Sequence, residues 1–103
     1  MKIDINCDVG EGMANEDLLF PYISSCNIAC GGHFGDEVSI DKTIKLAIEN
    51  DVLMGAHPSF PDRENFGRKV LDISKDELKK SIESQLDLFL ERLSKLNGNL
   101  HHI

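Results

Sequence analysis

Acidic and imidazole side chains follow three separate apolar runs in the first 57 residues of this sequence. Asp8 and Glu11 follow the first run, His33 and Asp36 follow the second, and His57 ends the third. Neighbouring glycines let the backbone turn tightly and approach a ligand closely. Carboxylates and imidazoles that converge from different strands can transfer protons or ligate a divalent metal. The pattern therefore predicts one shared site at the ends of three strands.

We expect Asp8, Glu11, His33 and Asp36 to be catalytic, because carboxylates and an imidazole can divide acid and base work. Structural alternatives stay open for the carboxylates. Asp8 is also suited to cap a turn, Glu11 to be a solvated residue of a glycine turn, and Asp36 to be the N-cap of a helix. Asp8, His33 and His57 together form a candidate site for a divalent metal.

Asn6 and His57 are candidates for substrate binding. Asn6 shares the polar face of the first strand with Asp8, since alternate residues of a strand point to the same side. His57 precedes Pro58, which favours an extended backbone and directs the imidazole toward the same site. The alternative for His57 is a partly buried structural histidine.

Arg68 is the third candidate for substrate binding. It lies in the segment 59–69, which contains proline, glycine and aromatic residues and is long enough to be a lid. Its planar guanidinium is suited to pair with a substrate carboxylate. The alternative is a surface ion pair with Asp62 or Glu64.

Composition and charge exclude several classes of function. The chain has 103 residues, a net charge of −7 and 41% hydrophobic residues. The length suits about one small domain with a packed core. No basic cluster supports a nucleic-acid surface, and no apolar run approaches the ~18 residues typical of a membrane span. We expect no nucleic acid and no membrane among the partners.

Cys7, Cys26 and Cys30 are the three cysteines. An odd number without a signal peptide favours reduced thiols and a cytoplasmic location. Cys26 and Cys30 are four residues apart on one strand, so we expect both on one buried face. A catalytic thiol at Cys7 or Cys30 is an open alternative.

Strand patterns cover Lys2–Cys7, a run that ends at Cys30, Val52–His57 and Leu100–Ile103. A short helix capped by Asn15 is expected to stop before Pro21. Strands that alternate with helices predict parallel pairing and an α/β fold.

Two longer helices connect the later strands. The first is expected to start at Asp36 or Ser39, with an apolar stripe formed by Ile40, Ile44, Ala47 and Ile48. The second follows the capping-box pattern at Ser74 and ends near Gly98. Its apolar stripe consists of Leu78, Ile82, Leu86, Phe89, Leu90 and Leu93.

The expected architecture is a partial (β/α) barrel of about three to four βα units. A closed barrel takes about eight strands and ~250 residues, so residues 1–103 are expected to be the amino-terminal part of one larger barrel domain. A small open sheet covered by helices is the alternative. Exposed strand edges of such a piece predict self-association.

Three motifs, in the same order along the chain, resemble the LamB/YcsF family. They are Asn-Cys-Asp-Val-Gly-Glu-Gly at 6–12, Asn-Ile-Ala-Cys-Gly at 27–31 with His33 and Gly35-Asp36, and Gly-Ala-His-Pro at 55–58 with Pro61-Asp62 and Phe66-Gly67-Arg68. Gln85 matches a further position. The resemblance covers nearly the whole chain, and the family continues beyond it with a Lys-Pro-His-Gly-Ala-Leu-Tyr-Asn motif.

This resemblance implies a barrel of the glycoside hydrolase/deacetylase type with its site at the carboxyl ends of the strands. It implies hydrolytic opening of the 5-oxo-L-proline lactam to L-glutamate, driven by ATP, with the 5-oxoprolinase B and C subunits (PxpB and PxpC) as partners. By position, the family's polar pocket falls on Asp8, Glu11, His33, Asp36 and His57. No Gly-x4-Gly-Lys-Ser/Thr loop is present, which fits ATP binding shared with partners or with further sequence.

Two other functions compete with this one. A metal-dependent amidohydrolase or carbohydrate deacetylase can be built from the same residues Asp8, His33 and His57. A non-catalytic assembly module would use these polar residues only for capping and structure.

Overall fold

Four parallel strands alternate with helices in the computed structural model, which describes all residues from Met1 to Ile103. The strands are β1 (Asn6–Val9), β2 (Ser25–Ala29), β3 (Leu53–His57) and β4 (Leu100–His102), and the α-helices are α1 (Glu16–Leu19), α2 (Glu37–Glu49) and α3 (Lys75–Lys95). A 3₁₀ turn, Phe20–Tyr22, follows α1. The predicted α/β class with parallel strands is confirmed.

The sheet order is β1-β2-β3-β4, so each strand pairs with the next one along the chain. Asp8 lies beside Asn27 in the register of β1 and β2, and Ala29 lies beside His57 in that of β2 and β3. Because all strands run the same way, their carboxyl ends meet at one edge of the sheet. This edge carries the residues that the sequence singled out.

The first strand begins later than the sequence pattern indicates. It starts at Asn6 rather than Lys2, and Ile3 is largely exposed. The reason is that β2 offers backbone partners only from about Ser24 onward, where the Ser24 N–H donates to the carbonyl of Ile5 at 2.8 Å. Residues before Ile5 have no neighbouring strand to pair with. The polar face of Asn6 and Asp8 remains as expected.

Helix α2 begins with a full capping box that uses both predicted start residues. The Asp36 carboxylate accepts from the Ser39 N–H, and the Ser39 hydroxyl accepts from the Asp36 N–H, each at 2.9 Å. On its buried face Thr43 joins the predicted apolar residues. Ile48 is 43% exposed, so its place in the predicted stripe was wrong. It lies near the carboxyl end of the helix.

Helix α3 begins at the predicted capping box of Ser74 and Glu77. Phe89 and Leu93 are buried as expected, and the polar Gln85 is buried with them, whereas Leu90 is 43% exposed. The helix ends at Lys95. Asn97 rather than Gly98 takes the left-handed conformation, with φ of 57°, and the Gly98 N–H then donates to the carbonyl of Leu93 at 2.9 Å.

The hydrophobic core lies between the sheet and helices α2 and α3. Its largest fully buried side chains are Phe20, Phe89, Ile28, Ile40 and Ile44. The core therefore holds the strands in place from one side, while their other face carries polar side chains.

None of the three helices combines the length and the apolar character needed to cross a lipid bilayer.

Candidate functional site

A cavity of about 280 Å³ opens at the carboxyl ends of the first three strands. The lining residues come from β1 and the turn after it, from the turn after β2, and from β3 and the loop after it: Asp8, Glu11, His33, His57, Ser59, Phe66, Gly67 and Arg68. The structure thus brings together five of the seven residues that the sequence proposed for the site. Asn6 and Asp36 lie outside the lining.

His33 lies at the back of this cavity and is only 3% exposed. Its Nε2 contacts a carboxylate oxygen of Glu11, and its Nδ1 lies 2.9 Å from the hydroxyl of Ser59. The ring of Phe66 packs edge-on against it, with 4.8 Å between ring centroids. Both nitrogens and one edge of the imidazole are therefore fixed by named neighbours.

Asp8 and His57 form the front of the site, where solvent reaches. Their side chains are 49% and 33% exposed, and His57 Nε2 lies 3.5 Å from Asp8 Oδ2 and 3.8 Å from Glu11 Oε2. The imidazoles of His57 and His33 meet at 4.8 Å between centroids. Because these front contacts are longer than a hydrogen bond, a small ligand has polar atoms available to it here.

The position of Glu11 depends on a tight turn between two glycines. Gly10 and Gly12 both have positive φ, at 72° and 75°, a conformation that a Cβ atom disfavours. The carboxylate of Glu16, at the start of α1, accepts from the N–H groups of Gly10 and Glu11 at 3.0 and 3.1 Å. Glu16 was missed by the sequence reasoning; a carboxylate shortly after a glycine turn was the signal that could have found it.

An amide network supports Asp8 from the neighbouring strands. Asn27 donates to Asp8 Oδ1 at 2.9 Å and to Asn6 Oδ1 at 2.6 Å. His102 Nε2 lies 2.6 Å from the other amide atom of Asn27, its oxygen. Asn6 therefore contacts Asn27 and Ser25 rather than the cavity, so its place is behind Asp8.

Asp36 caps helix α2, the structural alternative that the sequence left open for this residue. Its carboxylate is used by the Ser39 N–H and is not among the groups that line the cavity. It lies at the end of the turn that carries His33, three residues further along the chain. Its direct contribution is to the geometry of that turn.

Arg68 lies at the rim of the cavity and is exposed. Its guanidinium carbon is 6.0 Å from the ring centroid of Phe66, and it forms no ion pair with Asp62 or Glu64. Asp62 instead accepts from the side chain and backbone of Asn65. The guanidinium is thus free to meet an anionic ligand.

Ser59 and Gln85 complete the back wall, and the sequence reasoning gave neither a site role. The side-chain amide of Gln85 is paired with both backbone groups of Ser59 at 2.9 Å. A Cβ on Gly32 would lie 2.5 Å from Gln85 Oε1 and 2.6 Å from Ser59 Oγ. A buried polar residue on the apolar face of α3 was the signal that could have found Gln85.

Three potential metal ligands converge in the cavity. Ligand atoms of Glu11, His33 and His57 all lie within 4.8 Å of one another. The sequence proposed Asp8 in place of Glu11, and the converging set differs because the glycine turn brings Glu11 against His33. Two imidazoles and one carboxylate are a donor set that catalytic zinc sites use.

The buried cysteines lie on the core side of the sheet, as predicted for Cys26 and Cys30. Burial raises the pKa of Cys26 to about 12, with a further contribution from Cys7, and burial raises the pKa of Cys30 to about 11. The Cys30 thiol donates to the carbonyl of Ile28. A protonated, buried thiol is a poor nucleophile, which argues against catalysis by Cys30.

Comparison with known proteins gives consistent results. Residues 3–103 match the family model of the LamB/YcsF family. The chain is 39% identical to the 5-oxoprolinase A subunit of Bacillus cytotoxicus and 40% identical to that of Clostridium kluyveri, over 100% and 99% of this chain but 43% and 42% of those relatives.

A crystal structure of a lactam utilization protein from Thermus thermophilus superposes with a TM-score of 0.89 at 36% identity. The match covers 99% of this chain and 43% of the Thermus thermophilus chain, so this chain spans less than half the length of the relatives that it matches. The predicted partial (β/α) barrel is confirmed by this likeness. The chain belongs to the LamB/YcsF family.

Proposed function

We propose that this chain acts in the ATP-dependent hydrolytic opening of the 5-oxo-L-proline lactam to L-glutamate, in a complex with the 5-oxoprolinase B and C subunits. One observation carries the proposal: Asp8, Glu11, His33 and His57 surround a single cavity at the strand ends. Relatives that bear the name of the 5-oxoprolinase A subunit support the choice of substrate.

The reaction has to overcome the resonance of an amide. In the proposed sequence the lactam oxygen attacks the γ-phosphorus of ATP, which releases ADP and leaves a phosphorylated imidate. Water then adds to the ring carbon and gives up a proton. The carbon–nitrogen bond breaks and the nitrogen takes up protons, which gives γ-glutamyl phosphate. A second water then hydrolyses the acyl–phosphate bond, and L-glutamate and phosphate are the products. A base for the water and a donor for the nitrogen are the two groups this chemistry needs.

Asp8 is the proposed base, because it is the more exposed carboxylate and Asn27 holds it in place by a hydrogen bond. His33 with Glu11 is the proposed proton donor at the back of the cavity. His57 lies between the two carboxylates and is suited to orient the water or the lactam oxygen. Each group faces the same cavity, as proton transfer requires.

Arg68 is proposed to bind the carboxylate of 5-oxo-L-proline, since its guanidinium is unpaired at the rim. Asn6 and Asp36 are proposed to act indirectly. Asn6 supports Asp8 through Asn27, and Asp36 caps the start of α2. The acidic site holds no phosphate-binding glycine loop. We therefore assign ATP binding to a surface shared with the partner proteins.

The test uses the full-length protein with its B and C partners and measures ATP-dependent glutamate release. Asp8→Ala and His33→Ala are each expected to lower kcat about 10²- to 10⁴-fold, the usual contribution of a positioned acid or base. Glu91→Gln, an exposed carboxylate on α3, serves as the matched control and should leave kcat unchanged. Release that survives Asp8→Ala and His33→Ala in one protein would remove the role assignment.

A metal-dependent amidohydrolase or deacetylase-like activity is the second candidate. The convergence of Glu11, His33 and His57 favours it, because these groups can hold a cation that polarises a carbonyl. Metal analysis after incubation with zinc or manganese, together with turnover in the presence of a chelator, separates the two candidates. Absence of a bound divalent ion combined with chelator-resistant turnover would eliminate this one.

The third interpretation is a non-catalytic assembly module. In such a module these side chains would point apart, and each would hydrogen-bond to nearby backbone groups. They line one cavity instead, which supports an enzymatic proposal. We also infer a cytoplasmic location, since all three thiols are free.

A further inference from the structure

One row of residues crosses the sheet from β4 to the site. Asp8 lies beside Asn27 in the register of β1 and β2, and Asn27 lies beside Gly55 in that of β2 and β3. Gly55 lies beside His102 in the register of β3 and β4. Residues side by side on paired strands carry their side chains on the same face of the sheet. Because Gly55 has no side chain, this row has a gap between Asn27 and His102.

The imidazole of His102 fills that gap. A Cβ built on Gly55 would clash with two atoms of this ring and would lie 2.6 Å from the carbonyl oxygen of His102. The φ of Gly55 is not positive, so backbone conformation does not require glycine there. The missing side chain instead lets a residue of β4 reach across β3, where His102 Nε2 lies 2.6 Å from Asn27 Oδ1.

The Asp8 carboxylate fixes the direction of the hydrogen bonds along the row. A carboxylate oxygen accepts hydrogen bonds, so the Asn27 atom that lies 2.9 Å from Asp8 Oδ1 is the amide nitrogen. The Asn27 atom that faces His102 is then the amide oxygen, which also only accepts. The hydrogen between Asn27 and His102 therefore belongs to His102 Nε2. The other ring nitrogen, Nδ1, faces the imidazole of His101 at 2.9 Å.

The side-chain amide of Asn27 uses all of its hydrogen-bonding capacity in this orientation. Its nitrogen donates to Asp8 and, at 2.6 Å, to Asn6, and its oxygen accepts from His102 and, at 3.2 Å, from Asn6. A flipped amide would turn its oxygen toward the Asp8 carboxylate and its NH₂ group toward the His102 N–H. Both contacts would be lost, so His102 adds to the preference for the orientation that serves Asp8.

We infer that His102 is a positioning residue for Asp8: it donates from Nε2 to the Asn27 amide oxygen and thereby keeps the Asn27 N–H on the carboxylate. The Asp8 side chain is 49% exposed and its other oxygen is 3.5 Å from His57 Nε2, so the Asn27 hydrogen bond is its closest restraint. The effect on turnover rests on the proposed function, in which Asp8 is the base. The direction of the hydrogen bonds rests on their geometry alone.

Proton–nitrogen NMR of the full-length protein tests these hydrogen bonds directly. The side-chain signals of His102 and Asn27 are assigned by their loss in His102→Met and Asn27→Leu. The Nε2–H signal of His102 is expected to be visible at neutral pH, because a hydrogen held by Asn27 exchanges slowly with water, and to broaden in Asn27→Leu. The Asn27 amide hydrogens are expected to exchange faster in His102→Met than in the unmodified protein.

A neutral His102 whose Nε2 carries no hydrogen would overturn the inference. A folded His102→Met protein with unchanged exchange of the Asn27 amide hydrogens would overturn it as well. If His102→Met does not fold, the spectrum of the unmodified protein still decides.

Turnover of the full-length protein with its B and C partners supplies the second readout. His102→Met is expected to lower kcat about 10-fold with KM nearly unchanged, the usual effect of losing a residue that orients a functional group. His102→Gln should restore most of kcat, because its side-chain amide can donate to the same oxygen of Asn27. His101→Met is the matched control: it changes the adjacent residue of β4 and should leave kcat unchanged.

A double-mutant comparison separates positioning from a general weakening of β4. In an Asn27→Leu protein, His102→Met should lower kcat no further, because both residues act on Asp8 along one chain of hydrogen bonds. Independent losses, or equal losses in His102→Met and His102→Gln, would overturn the positioning role. Failure of the proposed function gives a different result: Asp8→Ala would then keep full turnover, and the NMR result alone would judge the hydrogen bonds.

Discussion

Charged side chains are paired very differently in two regions of this molecule. Between α2 and α3, the Arg92 guanidinium donates to both oxygens of Asp41, at 2.7 and 2.6 Å. The hydrogen bond from Arg92 lowers the pKa of Asp41, and the same pair raises the pKa of Arg92. Each charge here has its partner, and the two helices are fixed to each other.

At the strand ends the charges are gathered but only partly paired. Glu11 and His33 are in direct contact, while His57 stands 3.5 Å from Asp8 and 3.8 Å from Glu11 across the cavity. Lone pairs and hydrogens remain available for a ligand. A structural ion pair and a candidate site therefore differ in whether the charged groups complete their hydrogen bonds with each other. The number of charges does not separate them.

The same isosteric change in both regions gives the largest expected contrast. Asp8→Asn should lower glutamate release about 10²- to 10⁴-fold with little effect on melting temperature, because it removes the proposed base but keeps an oxygen for Asn27. Asp41→Asn should lower the melting temperature by a few degrees and leave turnover unchanged, because only the Arg92 pair is lost. Turnover assays and thermal melts of both variants test the contrast.

Exchange of the two phenotypes, with a stable, active Asp8→Asn and an inactive Asp41→Asn, would reverse the functional assignment of the two clusters. Equal losses of stability in both variants would show that the cavity charges are structural.

Glycine-to-alanine changes sharpen the comparison by crowding one region at a time. Gly32→Ala should cost about 1–3 kcal/mol of stability and also lower turnover, because the methyl group pushes on Ser59 and Gln85 behind His33. Gly98→Ala is the matched control: its Cβ would meet Leu93 Cδ1, also at 2.5 Å, away from the cavity. It should change stability only. Equal turnover in the two variants would contradict the role of the back wall.

The Arg92–Asp41 pair should also respond to acid in a defined direction. Because the folded protein holds the pKa of Asp41 below its ordinary value of 3.8, the pair stabilises the fold above that pH. The stabilisation is lost as pH falls through the lowered pKa of the folded state. Thermal melts at falling pH should show the difference between the unmodified protein and Asp41→Asn shrinking below about pH 3.8. A constant difference would mean that the pair does not stabilise the fold through its charge.

Treatment of the folded protein with a thiol reagent is expected to have the smallest effect on activity, because Cys26 and Cys30 are buried. Burial holds the pKa of Cys26 at about 12 and the pKa of Cys30 at about 11, so neither thiol ionises near neutral pH in the folded protein. Alkylating reagents should modify both only after denaturation, as mass spectrometry of labelled peptides can measure. Rapid labelling of Cys30 in the native protein, with loss of turnover, would restore it as a catalytic candidate.

Much of the fold could be predicted from local patterns. The helix start at Asp36, the capping box at Ser74, the end of α1 before Pro21 and the parallel α/β class follow from local preferences, and all appear in the structure. The predicted cap at Asn15 does not, because its side chain forms no capping hydrogen bond. The start of β1 at Asn6 could not be predicted, because a strand extends only as far as its neighbour supplies hydrogen-bond partners. That limit is a property of the pair of strands.

The sequence by itself determined which side chains stand at the strand ends, because residue type and spacing fix what a parallel strand delivers to its carboxyl edge. It placed Asp8, Glu11, His33 and His57 there. Only the tertiary structure decided their partners: His33 meets Ser59, 26 residues away, and Asn27 meets His102, 75 residues away. Such contacts depend on strand register and on how a distant helix packs, and no local pattern encodes either.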